Sequence, residues 1–132
     1  MLEDGNGKMF FPSEQWRVET KKRTHMLNQR YNALTEDQPE ARKEILRQIL
    51  GELNENVVFQ GPITFHYGKH TKVGKNTFVN FNFTCQDDGE VVIGENCDFG
   101  PNVTITTPIH PMLSEERRAL RCPDGVGRRL CY

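Results

Sequence analysis

Apolar side chains in the second half of the chain recur every six residues, at Tyr67, Val73, Val79, Cys85 and Val91, and then, after a shift of two, at Ile93, Phe99 and Ile105. A helix would repeat near 3.6 and a half-buried strand at 2, so neither alone accounts for the spacing. A coil of three short strands does, because each strand delivers one inward side chain at the same point of a turn. Glycine and asparagine take the tight corners, where φ is often positive. Stacked coils then bury a continuous prism-shaped core. The tetrads Val73-Gly74-Lys75-Asn76 and Ile93-Gly94-Glu95-Asn96 lie twenty residues apart, which is three six-residue units plus two. The turn formers of Gln86-Asp87-Asp88-Gly89-Glu90 are the expected place for that insertion. A β-sandwich with coincidental spacing is the competing arrangement.

Ahead of the repeat the chain is rich in helix formers. A first helix is expected over about 13–34, with Ser13 as its N-cap and Trp16, Leu27, Tyr31 and Leu34 on a shared face. A second is expected from Pro39, suited to a first helical turn, to about Leu53, with Ala41, Ile45, Ile49 and Leu53 forming its stripe. The expected division is a helical cap at 1–56, coils at 57–110 and an excursion loop at 111–132, where the six-residue period stops.

Seventeen basic against eighteen acidic side chains leave a formal charge of −1, too little to attract nucleic acid or an anionic membrane surface. The N-terminal apolar cluster, Met9-Phe10-Phe11, is short of a signal-peptide core, and no run approaches a membrane span, so a cytoplasmic protein is expected. Cys85, Cys97, Cys122 and Cys131 are too far apart for a C-x2-C pair and are assigned no chemistry. Phosphate-loop, dinucleotide-fingerprint, nucleophile-elbow and HExxH patterns are absent from the sequence. His66 and His70 have a spacing that would suggest a metal pair on a helix, but they fall in strand-like sequence, and no metal is expected.

The most distinctive local sequence is Thr104-Ile105-Thr106-Thr107-Pro108-Ile109-His110-Pro111. Pro111 keeps His110 out of the α region and so limits where its imidazole points. An imidazole titrating near neutrality suits a general base that takes the proton of an attacking hydroxyl, although a solvent-exposed loop histidine fits the same residues.

The run FVNFNFTCQDDGEVVIGENCDFGPNVTITTPIHP resembles the core of the hexapeptide-repeat galactoside and maltose O-acetyltransferases, with an N-F-N element, an Asp-Asp pair, IG-x-N, a P-N-V turn and a His-Pro in the same order. The likeness extends from the N-terminal helices to the Leu130-Cys131-Tyr132 ending, which resembles the point where that family re-enters its β-helix. It implies a left-handed parallel β-helix with N-terminal helices, a homotrimer with sites between subunits, acetyl-CoA as co-substrate and a sugar hydroxyl as acceptor. It also implies His110 as general base, and Asn80 and Asp88, rather than Asp87, as acceptor contacts. His66 stands where relatives often carry serine before a Tyr-Gly pair, and so joins the acceptor contacts.

Two departures bear on this. Pro12 stands nearest to where the family tends to place an acceptor-binding aspartate, and the family continues past this point with coils that hold much of its acetyl-CoA groove. The arginines Arg117, Arg118, Arg121, Arg128 and Arg129 read as a solvated loop or as partners for coenzyme A phosphates. Two alternatives stay open: a non-catalytic β-helix oligomerisation module, and acetyl transfer to a non-sugar acceptor.

Overall fold

The computed structural model describes residues 2–3, 9–109 and 128–130. A short antiparallel pair, β1 (Leu2–Glu3) and β2 (Met9–Phe10), precedes two helices, α1 (Gln15–Ala33) and α2 (Pro39–Ile49). Short strands then wind around a three-sided prism: β3 (Glu52–Leu53), β4 (Val58–Phe59), β5 (Ile63–Phe65), β6 (Thr71–Val73), β7 (Phe78–Val79), β8 (Phe83–Gln86), β9 (Val91–Ile93), β10 (Asp98–Phe99) and β11 (Thr104–Thr106). The first side holds β3, β6 and β9, the second β4, β7 and β10, and the third β5, β8 and β11, all paired in parallel.

Partners along each of these sides are twenty residues apart: Leu53 with Val73 and Ile93, Phe59 with Val79 and Phe99, Phe65 with Cys85 and Ile105. Along the chain the inward positions step by six from Leu53 to Phe59, by six to Phe65, and by eight to Val73. The two-residue insertion expected once, at 86–90, therefore occurs in each complete coil, and its twin lies at 66–70. Tyr67 concealed it. Six residues before Val73 and fully buried, it continues the apolar ladder in sequence while standing at a corner in space.

The other corners explain the asparagines. Asn56, Asn76 and Asn96 have φ of 57°, 58° and 55°, and Asn82 and Asn102 both 61°. This is the left-handed region that asparagine tolerates better than most residues with a side chain. Their amides stack from coil to coil, Asn56 Nδ2 donating to Asn76 Oδ1 at 2.8 Å, Asn76 to Asn96 at 3.3 Å and Asn82 to Asn102 at 2.8 Å. Inside, Phe59, Phe65 and Phe83 pack with ring centroids 5.7 to 5.8 Å apart, continued by the buried Val73, Val79, Cys85, Val91 and Ile93. Each such aliphatic or aromatic side chain contributes about 1.5–3 kcal/mol by leaving water.

The top coil leaves a strand edge that would expose unpaired backbone groups, and α1 covers it. Asn28 Nδ2 donates to the Phe65 carbonyl at 2.8 Å while its Oδ1 accepts the Phe65 N–H at 3.3 Å; Asn32 does the same for Ile63, at 2.9 and 2.8 Å. Thr24 Oγ1 donates to the Tyr67 carbonyl at 2.8 Å. Four helical residues rise about 6 Å and two strand residues about 6.6 Å, so a polar stripe at 24, 28 and 32 runs in step with 67, 65 and 63.

Several expectations are corrected here. Glu14, not Ser13, precedes the first helical residue, and no side chain caps that end; the Glu14 carboxylate instead accepts from the Phe11 N–H and the Trp16 indole. Trp16 is half exposed, and the buried face of α1 carries Arg17, Thr24, Leu27, Asn28 and Tyr31. α2 ends at Ile49, Ala41 is exposed, and Leu53 belongs to the first strand of the prism, so coil pairing begins at Glu52. β12 (Arg128–Leu130) pairs in parallel with β9, which returns the chain to the first side within the stretch read as a loop. Among the described residues no helix is long and apolar enough to cross a membrane.

Candidate functional site

The recurring insertion brings chemistry-bearing residues together. His66-Tyr67-Gly68-Lys69-His70 and Gln86-Asp87-Asp88-Gly89-Glu90 stack as successive layers of one corner, between the third side and the first. The neighbouring aspartates face different surroundings. Asp87 is fully buried; its Oδ1 accepts the Tyr67 N–H and its Oδ2 the Thr71 hydroxyl, both at 2.8 Å. Burial pushes the Asp87 carboxyl above its ordinary value, opposed by hydrogen bonds from Tyr67, Thr71 and Gly68 and by the charge of His70. Its backbone carbonyl accepts from His70 Nδ1 at 2.8 Å, which fixes that proton because a carbonyl can only accept, and the His70 ring stacks on Tyr67 with centroids 4.9 Å apart. Asp87 thus joins the two layers.

Asp88 turns the other way. It is 4% exposed, and its Oδ1 lies 3.2 Å from Nδ1 of the partly exposed His66. His66 stacks on His25 of α1 with centroids 5.6 Å apart. Burial, then the neighbouring His66 and Lys21, push the His25 pKa down. The pair stands between two cavities. Asp88 lines one of about 210 Å³ together with Trp16, Arg17, Lys69, His70, Lys72 and Glu90. His66 lines one of about 470 Å³ with Val18, Lys21, Lys22, His25, Met26 and Gln29. A carboxylate and an imidazole so placed can hold a hydroxyl by accepting from it and donating to it.

Of the residues singled out from sequence, His66 and Asp88 are brought together. Asn80 stands at the preceding corner, between β7 and β8, where its Oδ1 accepts the N–H of the half-exposed Phe81 at 2.8 Å. His110 lies outside the described residues, as do Arg117, Arg118, Arg121, Cys122 and Cys131. Cys85 and Cys97 are buried, and burial pushes the Cys85 thiol far up, which makes it a poor nucleophile. Among the described residues no group of three or more His, Cys, Asp or Glu is arranged to hold a metal. Sequence reasoning passed over Arg17, His25, Lys69 and Lys72, weighed His70 only as a metal ligand, and took Trp16 only as part of a helix face. The twenty-residue register, had it been extended back to 66–70, would have superposed His70 on Glu90 and so marked the corner.

Comparison with known proteins gives the same architecture. Residues 6–54 match the family model described as the maltose acetyltransferase hexapeptide capping motif. The galactoside O-acetyltransferase of Lactococcus lactis is 32% identical over 112 residues, 84% of this chain and 54% of that protein. The Escherichia coli galactoside O-acetyltransferase is 31% identical over 112 residues, 85% of this chain and 55% of that protein. Among solved structures, a maltose O-acetyltransferase from Clostridium difficile 630 superposes with a TM-score of 0.78 at 31% identity, covering 86% of this chain and 60% of the other. A galactoside acetyltransferase in complex with coenzyme A gives 0.81 at 31%, covering 86% and 56%. The prism is the left-handed β-helix of these hexapeptide-repeat proteins. The chain spans about half the length of the curated relatives it matches.

Proposed function

From the place of this chain in the hexapeptide-repeat sugar O-acetyltransferase family, we propose that it belongs to an acetyl-CoA-dependent O-acetyltransferase whose acceptor is a sugar hydroxyl. The observation that carries the reading is the His66–Asp88 pair: a buried carboxylate, distinguished from its structural neighbour Asp87, held at 3.2 Å from an imidazole and facing a cavity. Such a pair positions a hydroxyl. The relatives named for galactoside and maltose acetylation, one of them solved with coenzyme A, supply the reaction class.

In this reading Asp88 and His66 orient the acceptor, and His110 takes the hydroxyl proton as the oxygen attacks the thioester carbonyl. The carbon–oxygen bond forms, the carbon–sulfur bond breaks through a tetrahedral oxyanion, and the departing thiolate of coenzyme A takes up the proton from the imidazolium. No acyl-enzyme is needed. Asn80 stands one corner away from Asp88, and its neighbour Phe81 is half exposed. Both features fit a homotrimer in which Asn80 of one subunit faces the His66–Asp88 corner of the next.

The test is release of free thiol from acetyl-CoA with galactosides, glucosides and maltose. Acceptor-dependent release is expected, lost in His110→Ala, with the acceptor KM raised about tenfold in Asp88→Asn and the acetyl-CoA KM little changed. No acceptor-dependent release from folded chain, or release indifferent to His110→Ala, would refute the reading in favour of a non-catalytic module.

A further inference from the structure

The cavity beside Asp88 contains an arginine with more hydrogen-bonding capacity than the protein uses. Arg17, in the first turn of α1, is 7% exposed, and its guanidinium carbon lies 3.9 Å from the Phe10 ring centroid and 4.3 Å from that of Trp16. Stacking occupies the faces of the guanidinium and leaves its donors pointing outward in the plane. Among the described residues those donors make one hydrogen bond, a long one of 3.4 Å from Nη1 to the Tyr67 hydroxyl, and Nε is buried without any. Among the described residues the carboxylate paired with Arg17 is that of Glu14, whose Oε2 stays 3.9 Å from Nε and is engaged by the Trp16 indole while the other oxygen accepts from the Phe11 N–H. A buried cation left this short of partners is costly unless a ligand completes it.

The rest of the lining balances in formal charge, two lysines against two carboxylates, so the net charge of the cavity is that of Arg17. Lys69 and Lys72 are exposed on its wall, and of the two carboxylates present Asp88 is engaged with His66 while Glu90 faces solvent. Its volume, about 210 Å³, lies below the 300–1,000 Å³ of pockets for drug-sized ligands and suits one small polar group or ring.

We propose that Arg17, with Lys69 and Lys72, binds an oxyanion carried by the acceptor, so that the acceptor is a sugar bearing a carboxylate or phosphate rather than a neutral one. The proposal rests on the acetyltransferase reading for its acceptor and on Arg17 for its anion. Asp88, paired with His66 behind it, holds a hydroxyl at one end of the cavity, and the arginine takes the charged group at the other through charge-assisted hydrogen bonds.

Binding is measured directly by calorimetry, with glucose, glucuronate and glucose 6-phosphate as probes, at low and at high salt. Glucuronate or glucose 6-phosphate is expected to bind about tenfold or more tightly than glucose, with the advantage shrinking as salt rises. The stronger of the two identifies carboxylate or phosphate. Arg17→Gln is expected to abolish the preference. Because Arg17 is buried, the double variant Lys69→Gln/Lys72→Gln, at exposed positions, provides a second test and should reduce the preference several-fold. Equal affinity for all three sugars, binding of none, or a preference unchanged in both variants would overturn the proposal. Thiol release separates the two claims: tight glucuronate binding without acetyl transfer sustains the anion site alone, and acetylation of glucose without anion preference sustains the enzyme alone.

Discussion

Asp87→Asn and Asp87→Ala, measured together against pH, distinguish a carboxylate kept for its shape from one kept for its charge. The Asp87 carboxylate is fully buried and accepts from the Tyr67 N–H and the Thr71 hydroxyl, so an alanine leaves both donors without an acceptor inside the corner. At about 1–3 kcal/mol for each unpaired buried group, Asp87→Ala should lose roughly 2–6 kcal/mol. In a domain of this size that lowers Tm by on the order of 10 °C. Asparagine retains an acceptor for the Tyr67 N–H, and the Thr71 hydroxyl can rotate to accept from the new amide, so Asp87→Asn should lose little.

The pH dependence gives the sign. Burial raises the folded pKa of Asp87 above its value of 3.8, so the folded state holds this proton more tightly than the unfolded state. The associated stability is full below 3.8 and is lost as pH rises through the raised folded value. Thermal melts followed by circular dichroism from pH 3.5 to 7.5 should therefore show the wild type losing ground relative to Asp87→Asn as pH rises, with the gap between Asp87→Asn and Asp87→Ala present throughout. If Asn were as damaging as Ala, or the wild type gained on Asn with rising pH, the description of Asp87 as a buried, charge-disfavoured acceptor would be wrong.

Asn28→Ala should cost about 2–5 kcal/mol, because both the donor and the acceptor of Phe65 at the covered edge of the prism would lose their partner; a urea midpoint unchanged from wild type would mean that water replaces the amide freely. At Asn76, with φ 58° and a bond to each neighbouring layer, alanine should cost about 1–2 kcal/mol and glycine less, since glycine relieves the strain while losing the same ladder; equal losses would place the whole effect in the hydrogen bonds.

How much of this was legible in the residues depends on which force fixed each element. The coils were legible because Val73, Val79, Cys85, Ile93, Phe99 and Ile105 must all point inward, and burial imposes its period on the sequence. The helical cap was legible as helix, and its orientation only in part. An amphipathic reading finds Leu27 and Tyr31, which are buried in the core, but misses the polar stripe of Thr24, Asn28 and Asn32, whose partners are backbone groups and leave no complementary pattern in the strand they face. Arg17 escaped notice for the same reason: a polar side chain on a helix reads as solvated until its neighbours are known.

The choice of Asp88 over Asp87 rested on the family resemblance and on alternation, since adjacent strand residues face opposite ways; the structure gives Asp87 the part of joining the layers. Asn80 shows where such reasoning ends. Its place in the N-F-N element is read directly from sequence, but whether it serves an acceptor depends on what stands opposite its corner, and in the proposed homotrimer that would be set by how subunits meet, which the period of a single chain does not encode. In the proposed homotrimer a site shared between corners is only half written in any one coil: His66 and Asp88 follow from the twenty-residue register, Arg17 is added by the helix that covers it, and the other half would follow from symmetry.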